Sequence, residues 1–206
     1  MSIDKLNEKC QIGFMTEKQD DPRQQAILAS ALEAFAAYGF RKTSMDDIAK
    51  GAGMSRPAVY LQYKNKEAIV RSLTRAHYAE KTANVSRALS GNGSVSQRLA
   101  RAIDGQIKGL AEILTSPHGR EMLDTSKSTA SDILAEGEEE MTELYADWLR
   151  REESAGRVRL PNGPDETAKT ITATLMGVKM TATNADEFET RISQLAELLG
   201  AGLEVR

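Results

Sequence analysis

Cysteine is almost absent: Cys10 stands alone among 206 residues, so the chain has no disulfide framework of its own and suits a reducing compartment. Aromatic residues make up only 5% and proline occurs five times. The core must therefore rest on Ala, Leu, Ile and Met, a mixture that favours helices over sheets. No apolar run reaches the ~20 residues of a membrane-spanning helix, and "MSIDKLNEKCQIGFMTEKQDD" has no apolar stretch of signal-peptide length. These absences lead to the expectation of a soluble, cytoplasmic protein with no membrane partner. Catalytic signatures are missing as well. There is no Gly-rich phosphate loop after a strand, no nucleophile elbow and no paired histidine. His77 and His118 lack Cys or carboxylate neighbours at ligand spacing, so neither a metal, another cofactor nor an enzymatic activity is expected.

What is present is helical periodicity from end to end. Apolar residues recur every three or four positions, which predicts an all-α fold of about nine helices. Residues 1–21 read as a polar, flexible arm, and Met15 is an alternative start of translation. The first helix opens at Pro22 and ends at Gly39. A second is capped by Ser44 with Asp47 as capping-box partner. A third is capped by Ser55, with Pro57 in its first turn. A long helix follows from Lys66. "SQRLARAIDGQIKGLAEIL" reads as one helix ending before Ser116-Pro117, and a brief piece covers residues 119–124. A further helix begins near residue 128, and two more run from Pro164 and Ala185. The expected organisation is an arm (1–21), a small helical head (22–82) and a helical body (83–206).

The net charge of −3 conceals an asymmetry. Between Arg23 and Lys66, seven basic residues face three acidic ones, a local balance of +4 that leaves −7 for the rest. A basic module on an acidic body suits a polyanion partner. Within it, "KTSMDDIAKGAGMSRPAVYLQYKNK" places two short helices around Gly53, the pattern of a helix-turn-helix. Turning the third helix by 100° per residue sends Val59 and Tyr63 inward and Arg56, Pro57, Ala58, Leu61 and Gln62 outward, with Tyr60 on the flank. Such a face can enter a major groove and reach base edges. Ser44 and Ser55 sit at helix starts, where phosphates are readily held.

Residues 24–70 resemble the DNA-binding domain of TetR-family transcriptional regulators. The resemblance rests on Ile27, Ala31, Phe35, Gly39-Phe40, Thr43-Ser44, Ile48-Ala49, Ala52-Gly53, Ser55, Tyr60, Tyr63, Lys66 and Glu67. It implies that Ser44, Tyr60 and Lys66, with Thr43 and Ser55 beside them, meet phosphates. Arg56, Pro57, Ala58, Leu61 and Gln62 would then face the bases of a palindromic double-stranded operator. Pro57 and Ala58 depart from the Gly and small polar residue common in that family, which alters the expected base preference.

By the same resemblance the last two helices pair with a second subunit, through Ile171, Leu175, Val178, Phe188, Ile192, Leu195 and Leu199. The body would bind a small apolar or amphipathic effector among His77, Tyr78, Ile107, Leu110, Met122, Met141, Tyr145, Trp148, Met176 and Met180. The reading is thus a homodimeric, nucleoid-associated repressor released by an effector. Its rivals are a regulator working through a protein partner without an effector, and an all-α adapter or enzyme whose helix-turn-helix is purely structural.

Overall fold

The structure, a computed structural model, describes residues 21–205; the expected N-terminal arm and the alternative start at Met15 lie outside them. Among the described residues ten helices follow one another: α1 (Pro22–Tyr38), α2 (Met45–Gly51), α3 (Arg56–Gln62), α4 (Lys66–Leu89), α5 (Val95–Ile107), α6 (Leu110–Thr115), α7 (Gly119–Thr129), α8 (Ser131–Ser154), α9 (Gly163–Thr181) and α10 (Ala185–Leu203). The described residues contain no strand, only one isolated antiparallel bridge between Val158 and Glu204.

The helix starts are built by local capping. Asp21 accepts from the Arg23 amide and Pro22 sits in the first turn of α1. Ser44 and Asp47 form a reciprocal capping box on α2, Ser55 caps α3 and Asn65 caps α4. Each cap satisfies amides that the first helical turn leaves without intrahelical partners. Gly53, at φ +65°, makes the turn between α2 and α3, a conformation that costs glycine nothing sterically.

Two stretches differ from the sequence reading. The helix expected through residues 96–114 breaks at Lys108–Gly109, where Lys108 turns extended and Gly109 adopts φ +79°; α5 and α6 are the two halves. The brief piece expected at 119–124 continues to Thr129, and Ala130, at φ −137° and ψ 35°, separates it from α8.

Buried side chains form two clusters. In the head, Ile27, Ala31 and Phe35 of α1 pack with Ile48, Ala49, Val59, Tyr63, Ile69 and Val70. In the body, Val85 and Leu89 of α4 join residues of α5, α8, α9 and α10, among them Leu99, Ile103, Tyr145, Trp148, Ile171 and Phe188. α4 belongs to both, and its 24 residues span about 36 Å.

The body also buries an ion-paired carboxylate. Glu152, 2% exposed, receives Arg98 Nη2 at 2.5 Å and Arg157 Nε at 2.6 Å. Burial alone would raise its pKa, but the hydrogen bonds from Arg157 and Arg98 outweigh it and hold the carboxyl down at about 2.

Candidate nucleic-acid interface

α3 is too short to bury more than one face, and Val59 supplies that face against the head core. Its remaining surface is exposed. Leu61 is 86% exposed, Pro57 is uncovered and Ala58 is half-buried. Tyr60 lies on the surface beneath the Arg56 guanidinium, 5.5 Å from its ring centre. Arg56 Nε also faces Asp46 Oδ1 at 3.4 Å across the turn. Both groups of that pair are about half exposed, so a competing anion displaces it at little cost. Arg41, Lys42, Lys50 and Lys64 are exposed around this surface, and no ion pair engages their side chains among the described residues.

Several residues expected to make contacts are turned elsewhere. Thr43 is 2% exposed; its hydroxyl donates to the carbonyls of Gly39 (2.8 Å) and Ala34 (3.2 Å), closing the loop between α1 and α2. Lys66 Nζ donates to the carbonyls of Phe40 and Thr43 at 2.5 and 2.6 Å and sits over the Phe40 ring. Gln62 accepts from Gln24 Nε2 (2.9 Å) and donates to Asp21 Oδ2 (3.3 Å), which ties α3 to the start of α1. Ser44 is exposed, but its hydroxyl donates to Asp47 Oδ2 at 2.6 Å; the hydrogen bonds from Ser44 in turn keep the Asp47 pKa low. Ser55 is exposed and accepts from the Ala58 amide. Lys42 and Lys64 join this surface without having been expected there, since their only signal in the sequence is a position at the two ends of the motif.

The head is held to the body by α7. Glu121 Oε1 accepts from the Arg41 amide at 3.2 Å, and Oε2 lies 3.2 Å from His118 Nδ1. A Cβ on Gly39 would stand 2.5 Å from Glu121 Oε2, so glycine lets the loop reach α7. Met122 packs against the head core. One turn into α4, Arg71 binds Asp132 of α8 through two hydrogen bonds of 2.7 and 2.6 Å and the Thr129 carbonyl at 3.1 Å.

The residues expected to form an effector pocket do not share one cavity. Leu110, Met141, Tyr145 and Trp148 are buried in the body core, with Ile107 packed against it; the Tyr145 hydroxyl donates to Gln106 Oε1 at 2.9 Å. Met122 belongs to the head junction, and Met176 and Met180 are exposed on α9. His77 and Tyr78 meet edge to face on α4. The expected dimer residues are turned inward too. Ile171, Leu175, Phe188 and Ile192 are buried, and Val178, Leu195 and Leu199 pack against them. The apolar stripe of each helix is covered by its own chain. What α9 and α10 leave uncovered is Met176, Met180 (61% exposed) and Leu198 (72% exposed), with space above Gly177. Among the described residues no group of His, Cys, Asp or Glu is arranged to hold a metal ion, and no helix is long and apolar enough to cross a membrane.

Residues 27–73 match the family of bacterial regulatory proteins named tetR. Over 53 residues the chain is 47% identical to the HTH-type transcriptional regulator EthR of Mycolicibacterium smegmatis, a stretch covering 26% of this chain and 24% of that one. The chain thus spans about a quarter of this relative's length. The whole fold is similar to a transcriptional regulator from Cytophaga hutchinsonii, with a TM-score of 0.72 and 17% identity over 90% of this chain and 100% of that one. It is also similar to SmeT, the repressor of the Stenotrophomonas maltophilia multidrug efflux pump SmeDEF, with a TM-score of 0.68 and 19% identity over 88% and 90% of the two chains; SmeT is known in complex with triclosan as well. The head of the chain, residues 27–73, thus matches the tetR family of bacterial regulatory proteins, and the fold of the whole chain is like that of the two solved regulators.

Proposed function

We propose that the protein is a sequence-specific DNA-binding repressor of transcription that acts as a homodimer and is released by a small molecule. The observation that carries this reading is the surface of α3: Leu61 and Pro57 stand uncovered beside Arg56, inside a ring of unpaired lysines. Apolar side chains of this kind meet thymine methyl groups, and an arginine meets guanine O6 and N7. Lys42, Lys50 and Lys64 supply phosphate contacts, which set affinity rather than sequence. Gln62, Thr43 and Lys66 act indirectly, by fixing α3 and the loop between α1 and α2.

One head touches too few base pairs for useful specificity, so two must be held at a spacing of ~34–36 Å or a multiple of it. The exposed face of α9 and α10 around Met176, Met180 and Leu198 is the surface we assign to the second subunit. Release follows from the α7 junction. A ligand in the body that shifts α7 or α8 moves the Glu121–Arg41 and Asp132–Arg71 contacts and with them the head. It does so only as far as its affinity differs between the two arrangements. The binding of triclosan to a protein of similar fold supports a body that receives small molecules.

Selection of duplexes from a random pool by the purified protein tests the reading. A palindromic motif with two half-sites is expected. Failure to enrich any sequence over the starting pool would contradict it.

A further inference from the structure

On the face of α4 that packs against α8, three polar groups follow each other within five residues: His77, Tyr78 and Lys81. Lys81 is 8% exposed. Its ammonium lies 5.4 Å from the Tyr78 ring centre and has neither a hydrogen bond nor an ion pair among the described residues. The next residue, Thr82, carries a buried hydroxyl that is also without a partner. A lysine buried to this degree is normally paired.

The nearest acid, Glu138 of α8, accepts the Tyr78 hydroxyl at 2.5 Å. It attracts Lys81 and Lys179 from a distance without forming an ion pair with either. Lys179 of α9 is half-buried, and Lys127 of α7 is exposed within electrostatic reach of it. Lysines of three helices thus lie within electrostatic reach in turn, Lys127 at the surface of Lys179, and Lys179 of the buried Lys81. Gly137 sets where Tyr78 lies. A Cβ there would stand 2.1 Å from the Tyr78 ring, so glycine lets Tyr78 lie flat on α8 and leaves its hydroxyl on Glu138.

The charges do not balance. Burial, with Lys81 and Lys179 beside it, pushes the His77 pKa down to about 3, so the ring is neutral. Burial and Lys179 bring Lys81 down to about 8, against the pull of Glu138. At neutral pH two lysines thus face a single carboxylate, an excess of one positive charge in a poorly solvated place. Stability alone gives no reason for this arrangement, because an unpaired buried cation is a cost. One added monoanion neutralises it.

We propose that Lys81, with Lys179 and Thr82, binds the headgroup of an organic carboxylate, and that this is the chemical class of the effector. The assignment of the effector rests on the regulatory reading above; the binding site itself does not. A carboxylate matches the single excess charge, whereas a doubly charged phosphate would reverse it. Lys127 draws the anion in, and the Lys81 ammonium and Thr82 hydroxyl donate to it. Occupation pulls α4, α8 and α9 together behind the head junction formed by Arg71 and Asp132.

The test is calorimetry on the full chain with decanoate and benzoate, each beside its alcohol (decanol, benzyl alcohol), and with inorganic phosphate. At least one carboxylate is expected to bind ~10-fold or more tightly than its alcohol and than phosphate. Lys81→Met should abolish that margin while raising the melting temperature by ~2–4 °C, because an unpaired buried charge has gone. Carboxylate binding at pH 8 should also take up a fraction of a proton, as Lys81 becomes fully charged, and the variant should take up none. Equal affinity for acid and alcohol would overturn the proposal, as would phosphate binding as tightly as either carboxylate. So would a margin that survives in Lys81→Met. Should the protein bind these carboxylates but enrich no DNA sequence, the regulatory reading fails and the carboxylate site stands.

Discussion

The head and the body treat their cations in opposite ways. In the head, Lys42, Lys50 and Lys64 lie on the surface without an ion pair among the described residues, while Lys66, drawn inward, is satisfied by two carbonyls and an aromatic face. In the body, several surface arginines are ion-paired, as Arg150 is with Glu143, Asp147 and Asp165. There the unsatisfied cation, Lys81, is inside. A row of exposed charges fits a polymer of phosphates that touches many points at once. A single enclosed charge fits one small anion. The two regions of this chain are thus built for two kinds of negative partner.

The body's own buried ion pairs give the strongest way to sharpen that contrast. Glu152 receives both Arg98 and Arg157, so Glu152→Gln leaves two guanidinium groups facing a neutral amide. It should cost about 3–5 kcal/mol in chemical denaturation. The same carboxyl gives a sign for pH dependence. Its folded pKa of about 2 lies below the unfolded value of about 4.3, so its stabilisation is complete above the unfolded value and fades as the pH falls from about 4.5 towards 2. Melting temperatures of wild type and Glu152→Gln should converge over that window. Curves that stay parallel from pH 7 to 2 would show that the charge on Glu152 contributes nothing.

Dimerisation comes next in size. Leu198→Glu combined with Met180→Glu should give monomers by sedimentation and lower operator affinity at least ~100-fold, since each head then binds alone. The folded state should persist, because both side chains are exposed. Leu195 and Ile192 pack in the core, so charges there would report on folding instead. A dimer that survives the double substitution would place the interface elsewhere.

Much of the head is legible in the sequence because its signals are local. The Ser44–Asp47 box, the Ser55 cap, Pro57 and Gly53 all act within four residues of where they stand. Lys66 and Gln62 are not legible in this way, because their partners, the Phe40 carbonyl and Gln24, are distant in sequence. In the body, periodicity shows which face of α9 and α10 is apolar. It does not say whether that face meets the same chain or another. The break at Gly109 escapes notice because a single glycine within a helical pattern is commonly tolerated. The break at Ala130 has no residue signature at all. Lys81 is hidden for a further reason: a lysine on a helix reads as surface until its neighbours are known.

Two smaller effects probe the reading surface. Leu61→Ala should reduce preference at one or two base pairs per half-site by about 1–3 kcal/mol, read as a loss of discrimination in competition binding. Binding to random duplex should not change. Lys64→Gln should do the reverse, weakening specific and random duplexes alike and lowering the salt slope by about one unit for each phosphate no longer neutralised. If Leu61→Ala weakened both duplexes equally, α3 would not be the element that reads bases.

The contrast between outward and inward charge is tested most directly by the slope of log affinity against log salt on the selected operator, for wild type, for a head variant with Lys42, Lys50 and Lys64 changed to Gln, and for Lys81→Met. With Lys42, Lys50 and Lys64 of two heads on phosphates, the account predicts a wild-type slope of about −5. The head variant should have a much shallower slope, and Lys81→Met a slope and ligand-free affinity indistinguishable from wild type. A flat wild-type slope, or a Lys81→Met slope reduced as far as that of the head variant, would contradict it.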